Sequence, residues 1–211
     1  MQITSQPKLL ILILFCVALV AIRVLNTDTY TYAFLIWNLF LGVIPFLLSK
    51  LAVVMFQKGR RLGTTMLVLI CILFLPNAPY IITDLFHLHW NRSAPLWFDS
   101  VMIFSFALTG LISFFSALAN LEQISRQLMR PPYRVVMTVL VIFASAFGMY
   151  LGRYLRFNSW DIISNPLHIL SEIAQRILCP LEHTQAWSMT LVYGLFLTVL
   201  YFFMRPTSQR I

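Results

Sequence analysis

The first stretch whose residue types could do chemistry contains Asp84, His87 and His89, one carboxylate and two imidazoles. These side chains can bind a divalent metal ion, and a histidine beside a carboxylate can act as a general base near neutral pH. If a helix resumes at Tyr80, then Tyr80, Asp84 and His87 share a face. The alternative is structural, with Asp84 as a charge partner and both histidines at headgroup level.

The second stretch contains Arg153, Arg156 and Asp161. The two arginines are spaced i,i+3 at the end of an apolar run, so both can point one way. Guanidinium groups suit a phosphate or carboxylate because they are planar, always charged and bidentate. Two interpretations remain open, capture of a lipid phosphate or other anionic headgroup, and an ion-pair network with acids such as Asp84, Asp99 and Asp161.

No Ser-His-Asp order, glycine-rich phosphate loop or HExxH motif accompanies these residues. The candidate catalytic residues are therefore limited to Asp84, His87 and Asp161, with Arg153 and Arg156 as candidate anion-binding residues. The sequence leaves the cofactor unknown, with a metal ion at Asp84, His87 and His89 as the open candidate.

The composition places these residues in a membrane protein. The chain is 60% hydrophobic and only 10% charged, whereas an ordinary soluble domain carries about 25% charged residues. Its mean hydropathy is +0.83. The net charge of +8 is spread over the flanks of apolar runs, and no nucleic-acid-binding pattern is present, so we expect no nucleic-acid partner.

Six apolar runs are long enough to predict membrane-spanning helices. One set of connections carries ten basic residues against one acid, and the alternating set carries five against six. Basic flanks stay in the cytoplasm, which predicts that both termini are cytoplasmic and that both polar stretches lie at the outer face. We predict a single all-α transmembrane domain over residues 1–211, with spans at about 9–25, 32–56, 64–82, 98–121, 135–155 and 187–204.

The third span is expected to break near its outer end. Pro76 and Pro79 each lack an amide donor and clash with the carbonyl group four residues earlier, so the helix should kink or unwind near Asn77. Such backbone survives at membrane depth only if it is buried in protein or faces water. The break therefore predicts a polar cavity, unless the helix simply leaves the membrane there.

Other residues predict how the helices pack. Asn38 in the second span needs an interior partner. Small residues at helical spacing predict close helix contacts in the later spans, the alternative being a hydroxyl-lined path. These residues are Ser105, Thr109, Ser113 and Ser116 in the fourth span, Ala144, Gly148 and Gly152 in the fifth, and Thr190, Gly194 and Thr198 in the sixth.

Residues 166–179 predict an amphipathic helix too short to span a membrane. Its apolar positions begin at Leu167 and Leu170, while Glu172 and Arg176 form an i,i+4 pair on the polar side. We expect it to lie in the outer interface or over the bundle, either as a cover or as a lid over a substrate.

The sequence also resembles a known family. The strings PNAPYIITDLFHL, WFDSVMIFSFALTGL, GMYLGRYLRFNSWDIISNP and WNLFLGVIPFLLS are similar to signatures of a bacterial multi-pass membrane family known as domain of unknown function 1361. The resemblance covers about residues 31–204. It implies an integral protein of the bacterial inner (cytoplasmic) membrane, and it implies no activity, cofactor or catalytic residue.

Three functions remain open at this point. The first is an accessory membrane protein that binds the bilayer, a lipid phosphate headgroup or another membrane protein. The second is a small membrane enzyme acting on a lipid-linked or anionic substrate at the outer leaflet. The third is a transporter, which the broken third span favours but the lack of a visible repeat does not.

Overall fold

The computed structural model describes residues 6–88 and 93–204, and this part of the chain is helical without strands. The helices are α1 (Gln6–Thr27), α2 (Phe34–Gln57), α3 (Arg61–Phe74), α4 (Asn77–Tyr80), a 3₁₀ helix (Ile81–His87), α5 (Leu96–Ser125), α6 (Pro131–Tyr154), α7 (Asp161–Ser164), α8 (Pro166–Leu178) and α9 (Thr184–Met204).

Six segments of the described chain are long and apolar enough to cross a membrane. They are α1, α2, the composite segment Arg61–His87, α5, α6 and α9. Each overlaps one predicted span, so the prediction of an all-α, multi-pass membrane protein is confirmed. The amphipathic helix predicted over 166–179 is present as α8. Its place in the interface and the side on which the termini lie stay predictions.

The chain forms two compact units, Met1–Met129 and Arg130–Ile211. In the first unit, α2 packs against α3 and α5, and α1 packs against α5. In the second unit, α6 pairs with α9. The single-domain organisation expected for residues 1–211 stays a prediction.

The third span breaks where its two prolines predict. Helix α3 ends at Phe74, and after two turn residues the chain continues as α4 and then as the 3₁₀ helix. Pro76 cannot donate to the carbonyl group four residues back, and that oxygen, of Ile72, accepts instead from the amide of Leu75 at 3.3 Å. The side-chain amide of Asn77 donates to the Phe74 oxygen at 2.9 Å. Local bonds thus replace part of the lost helical ladder.

The broken segment is buried against two helices of its own unit. A Cβ added at Gly110 of α5 would lie 2.4 Å from the carbonyl oxygen of Ala78. A Cβ added at Gly42 of α2 would lie 3.2 Å from the Cα of the same residue. Glycine at both positions lets the two helices approach the irregular backbone closely, which provides the protein burial that such backbone needs.

Within the predicted small-residue stripe of α5, Ser113 contacts α2 and Thr109 contacts Cys16 of α1. Ser113 is fully buried and donates to the carbonyl oxygen of Gly42 at 2.8 Å. That carbonyl group lies one turn before Pro45, where proline disturbs the helical ladder. Further along, the amide of Asn120 donates to the hydroxyl of Ser49 at 3.0 Å. These bonds satisfy buried backbone and side-chain groups across the helix contact.

The second unit also has a glycine at a close contact between two helices. A Cβ added at Gly194 of α9 would lie 2.7 Å from the ring of Phe143 in α6. Thr190 and Thr198 direct their hydroxyls to carbonyl groups of their own helix instead, at 2.7 Å and 2.6 Å. Gly194 therefore supplies the close α6–α9 approach that the spacing predicts.

Candidate functional site

A buried ion pair joins α1 to α5 at one end of the first unit. Arg23 Nε donates to Asp99 Oδ1 at 2.7 Å, and a terminal nitrogen of Arg23 donates to Asp99 Oδ2 at 3.3 Å. Both side chains are only 1% exposed. The remaining terminal nitrogen donates to Thr29 Oγ1 at 2.8 Å. A fork of this kind compensates both charges and fixes their geometry.

Tyr32 connects this ion pair to the 3₁₀ helix. Its ring lies under the guanidinium of Arg23, with Cζ 4.5 Å from the ring centroid, a cation–π arrangement. Its hydroxyl donates to the carbonyl oxygen of His87 at 2.8 Å. In this connection between α1 and α2, burial and the carboxylate of Asp99 raise the pKa of Tyr32, against the opposing effect of Arg23. The hydroxyl therefore stays protonated and remains a donor.

Asp84 and His87 meet as the sequence predicts, but on a different kind of helix. In a 3₁₀ helix, residues three apart eclipse each other, so Ile81, Asp84 and His87 share the buried face. Tyr80, which α-helical spacing had placed on that face, ends α4 instead. The tighter turn is the physical reason for this difference.

The Asp84–His87 pair is closely enclosed. The carboxylate is 1% exposed, and its Oδ1 lies 4.0 Å from His87 Nδ1. Asn38 donates to the other oxygen, Oδ2, at 2.8 Å, so the interior partner predicted for Asn38 is found. The ring of Phe34 stands edge-on to the imidazole at 5.3 Å. We call the residues that these contacts join the polar network: Arg23, Thr29, Tyr32, Asn38, Asp84, His87 and Asp99.

The metal site predicted from the sequence requires His89 to lie beside Asp84 and His87. His89 lies outside the described residues. Within residues 6–88 and 93–204, no group of three or more His, Cys, Asp or Glu side chains is placed to hold a metal ion. The metal site at Asp84, His87 and His89 stays a prediction.

The two candidate anion-binding arginines do not share a helix. Helix α6 ends at Tyr154, and Arg156 lies beyond it in a left-handed conformation with φ of 58°. The i,i+3 argument for a common face is therefore wrong. The amides of Leu155 and Phe157 both donate to the carbonyl oxygen of Leu151 at 3.2 Å, which closes the turn. A left-handed non-glycine residue costs roughly 1–2 kcal/mol, so this turn holds Arg156 in an unusual conformation.

The arginines differ in their surroundings. Arg153 is half-buried and lies within electrostatic range of Tyr193 in α9. Arg156 is exposed, and in the part of the chain that the structure describes no hydrogen bond or ion pair engages its side chain. An exposed guanidinium at a fixed turn is available to an anion.

Asp161 is engaged locally. One carboxylate oxygen, Oδ2, accepts from the backbone amide of Asn158 at 2.7 Å, and the other accepts from the Ser164 hydroxyl at 3.3 Å. These bonds tie the carboxylate to the turn before the short helix α7 and to the last residue of that helix. The structure thus gives Asp161 local partners within the second unit. Asp84 and His87 belong to the first unit and Arg153, Arg156 and Asp161 to the second, so a pocket shared by all five stays a prediction.

Two residues of the polar network were not recognised as a site from the sequence. Arg23 and Asp99 entered the argument only as charges flanking spans, and Asp99 as an acid available to Arg153 and Arg156. A usable signal was present for Asp99, because it lies in the first turn of α5. Its charge has the sign that the helix dipole favours at that end.

Comparison with known proteins gives a family without a described activity. No curated protein and no solved structure matches the chain. A family model described as "Protein of unknown function (DUF1361)" matches residues 37–200, which include Asn38, Asp84, His87, Asp99, Arg153 and Arg156. Since this match covers most of the chain, the protein belongs to the DUF1361 family.

Proposed function

We propose that this protein is a non-enzymatic accessory protein of the bacterial inner (cytoplasmic) membrane that binds an anionic lipid headgroup at its outer face. The ligand group is a phosphate, held by Arg156 with help from Arg153. Both termini are cytoplasmic in this proposal, as the alternation of basic flanks indicates. The polar network of the first unit serves as its scaffold.

The proposal depends on the exposure and the backbone conformation of Arg156. Its guanidinium is exposed, has no partner in the described chain and sits at a left-handed turn directly after a membrane-spanning helix. A backbone held in a sparsely populated conformation motivates a functional hypothesis. A cation just beyond the end of a span lies at the depth of lipid phosphates, where it attracts anionic headgroups.

The polar network is assigned a scaffold role because its two most deeply buried opposite charges, Arg23 and Asp99, compensate each other. Arg23 and Asp99 are both buried and form a two-point ion pair. Removing one partner of such a pair costs about 3–5 kcal/mol, since the other charge stays buried and uncompensated. A ligand that recruited Arg23 would have to overcome that cost.

Lipid binding by the purified protein tests the proposal. We expect Arg156→Gln to lower the enrichment of phosphatidylglycerol over phosphatidylcholine, measured by native mass spectrometry after extraction from mixed vesicles. One basic residue near an anionic surface contributes about 1 kcal/mol, so the expected loss is about fivefold. Arg130→Gln is the matched control, because Arg130 is also exposed and precedes α6 at its other end. Equal enrichment in the wild type and Arg156→Gln would refute the proposal.

One observation favours the small membrane enzyme as a second candidate. Asp84 and His87 bring a carboxylate within 4.0 Å of an imidazole in a buried setting. This distance is longer than a hydrogen bond, and the pair would serve general-base chemistry if it closed to about 3 Å when a substrate binds. The substrate of such an enzyme would be lipid-linked or anionic.

A further inference from the structure

Helix α8 is fastened to its unit by a charged residue. Arg176 is buried and donates to Glu172 Oε2 at 2.6 Å and to the Tyr150 hydroxyl at 3.3 Å. Trp187 of α9 donates to the carbonyl oxygen of Arg176 at 2.8 Å. Burial acts to lower the pKa of Arg176, but the hydrogen bonds with Tyr150 and Glu172 outweigh it and the pKa is raised. The side chain is therefore a permanently charged anchor on α6, and the backbone oxygen of the same residue adds a contact with α9.

This anchor determines which way the helix faces. At about 100° per residue, the positions nearest Arg176 in direction are Ile169, Glu172 and Ile173. Ile169 is buried and the other two are half-buried, so these residues form the side that contacts the protein. We call this side the anchored face.

The remaining surface of α8 divides into two flanks. One flank is apolar and unusually open: Leu167 is 81% exposed, Leu170 58%, Ile177 56% and Leu178 78%. The other flank carries the exposed polar residues His168, Ser171 and Gln175. The helix thus has three faces rather than the two that its sequence periodicity predicts.

We infer that the apolar flank of α8, Leu167, Leu170, Ile177 and Leu178, inserts into the lipid leaflet while the polar flank faces water. Helix α8 is about 20 Å long, too short to cross a hydrocarbon core of about 30 Å, so it lies along the surface. Its chain connects the end of α6 with the start of α9, both membrane-spanning segments. Helix α8 is therefore attached at both ends to the segments where these spans leave the membrane, and lipid is the occupant that this position identifies for its apolar flank.

The anchor also distinguishes this arrangement from a mobile lid. A lid has to leave its resting contacts, whereas Arg176 bonds to two spanning helices, through its side chain to Tyr150 of α6 and through its backbone oxygen to Trp187 of α9. Helix α8 is then a fixed in-plane helix, immersed on one side. This inference does not depend on anion binding at Arg156.

Spin labelling of the full-length protein in vesicles tests the inference. In a Cys179→Ser background, with the buried Cys16 and Cys71 left in place, single cysteines at positions 170, 177, 171 and 175 receive the label. Oxygen, which partitions into lipid, and a water-soluble nickel chelate serve as collision reagents. We expect the ratio of oxygen to nickel accessibility to be severalfold higher at positions 170 and 177 than at 171 and 175.

Two results would overturn the inference. Equal ratios at all four positions would mean that α8 does not lie at a lipid–water boundary. Shielding of positions 170 and 177 from both reagents would mean that a protein, such as a second copy of the chain, covers the apolar flank.

The role of the anchor is tested separately with Arg176→Lys, which keeps the charge but loses the guanidinium fork, and with Arg176→Gln. We expect either change to reduce the difference between the two flanks. An unchanged pattern in both variants would show that Arg176 does not fix the rotation of the helix.

Discussion

Gly110→Ala should destabilise the packing of the broken third span in the first unit. The added Cβ would lie 2.4 Å from the carbonyl oxygen of Ala78 and 2.9 Å from Ile81 Cδ1. The isoleucine methyl group can move by a small torsional change, but the carbonyl group belongs to the backbone. The oxygen has to retreat by about 0.6 Å to reach even 3.0 Å, and α4 must move with it.

The magnitude follows from two opposing effects. Overpacking a tight contact costs about 1–3 kcal/mol, and the upper end applies here because the obstacle has no rotamer to change. Replacing a mid-helix glycine with alanine returns about 1 kcal/mol of helix propensity. We expect a net loss of about 2 kcal/mol, which corresponds to a melting temperature lower by about 4–8 °C for a chain of this size.

Thermal unfolding in a fixed detergent, followed by intrinsic fluorescence, measures the effect, and the chain offers graded controls. A Cβ at Gly63 meets no heavy atom within 4 Å, so Gly63→Ala should leave the melting temperature unchanged or slightly raised. Gly42→Ala should fall between the two, because its closest neighbours are a flexible methyl group at 3.1 Å and a backbone Cα at 3.2 Å. If Gly110→Ala melts at or above the wild type while Gly63→Ala behaves as expected, the packing of the break against α5 is refuted.

Two further predictions concern the polar network and use the same unfolding assay. Arg23→Gln and Asp99→Asn should each destabilise the protein by about 3–5 kcal/mol, and the double variant should recover part of that loss because no buried charge is left uncompensated; strictly additive losses would contradict the ion pair. Asp84→Asn should cost about 1.5–3 kcal/mol, since Asn38 loses a charged acceptor. If Asp84→Asn instead melts like the wild type but fails to complement a deletion strain, the result favours the enzyme and contradicts the scaffold role of Asp84.

The architecture was predictable because the strongest sequence signals act locally. An apolar run of about 20 residues has few options besides a spanning helix, and Pro76 and Pro79 remove specific backbone donors wherever they occur. The break after Phe74 and the short helix α8 therefore appear where the sequence places them. That Asn38 has a hydrogen-bond partner was predictable, because a buried amide requires one. The identity of that partner was not predictable from the sequence.

The pairing of distant charges was not predictable in the same way. The connections on the predicted outer side carry five basic residues and six acids, and helix order alone does not select among the combinations. Arg23 and Asp99 are 76 residues apart and meet because α1 packs on α5. The prediction for the end of α6 was wrong for a local reason: the helix ends at Tyr154 and Arg156 beyond it is left-handed, so Arg153 and Arg156 are not aligned on one helix face.

The difference between Arg23 and Arg156 decides where an anionic ligand is expected. A ligand at Arg23 would have to displace Asp99 and leave that carboxylate buried without its partner, at a cost of about 3–5 kcal/mol, or two to three and a half powers of ten in Kd. Arg156 carries no such cost, because its guanidinium is exposed and has no partner in the described chain. Its backbone conformation is fixed before any ligand arrives, so less entropy is lost on binding. Arg156, and not the buried arginine, is therefore the residue whose replacement should change lipid selectivity, whereas replacing Arg23 should change stability.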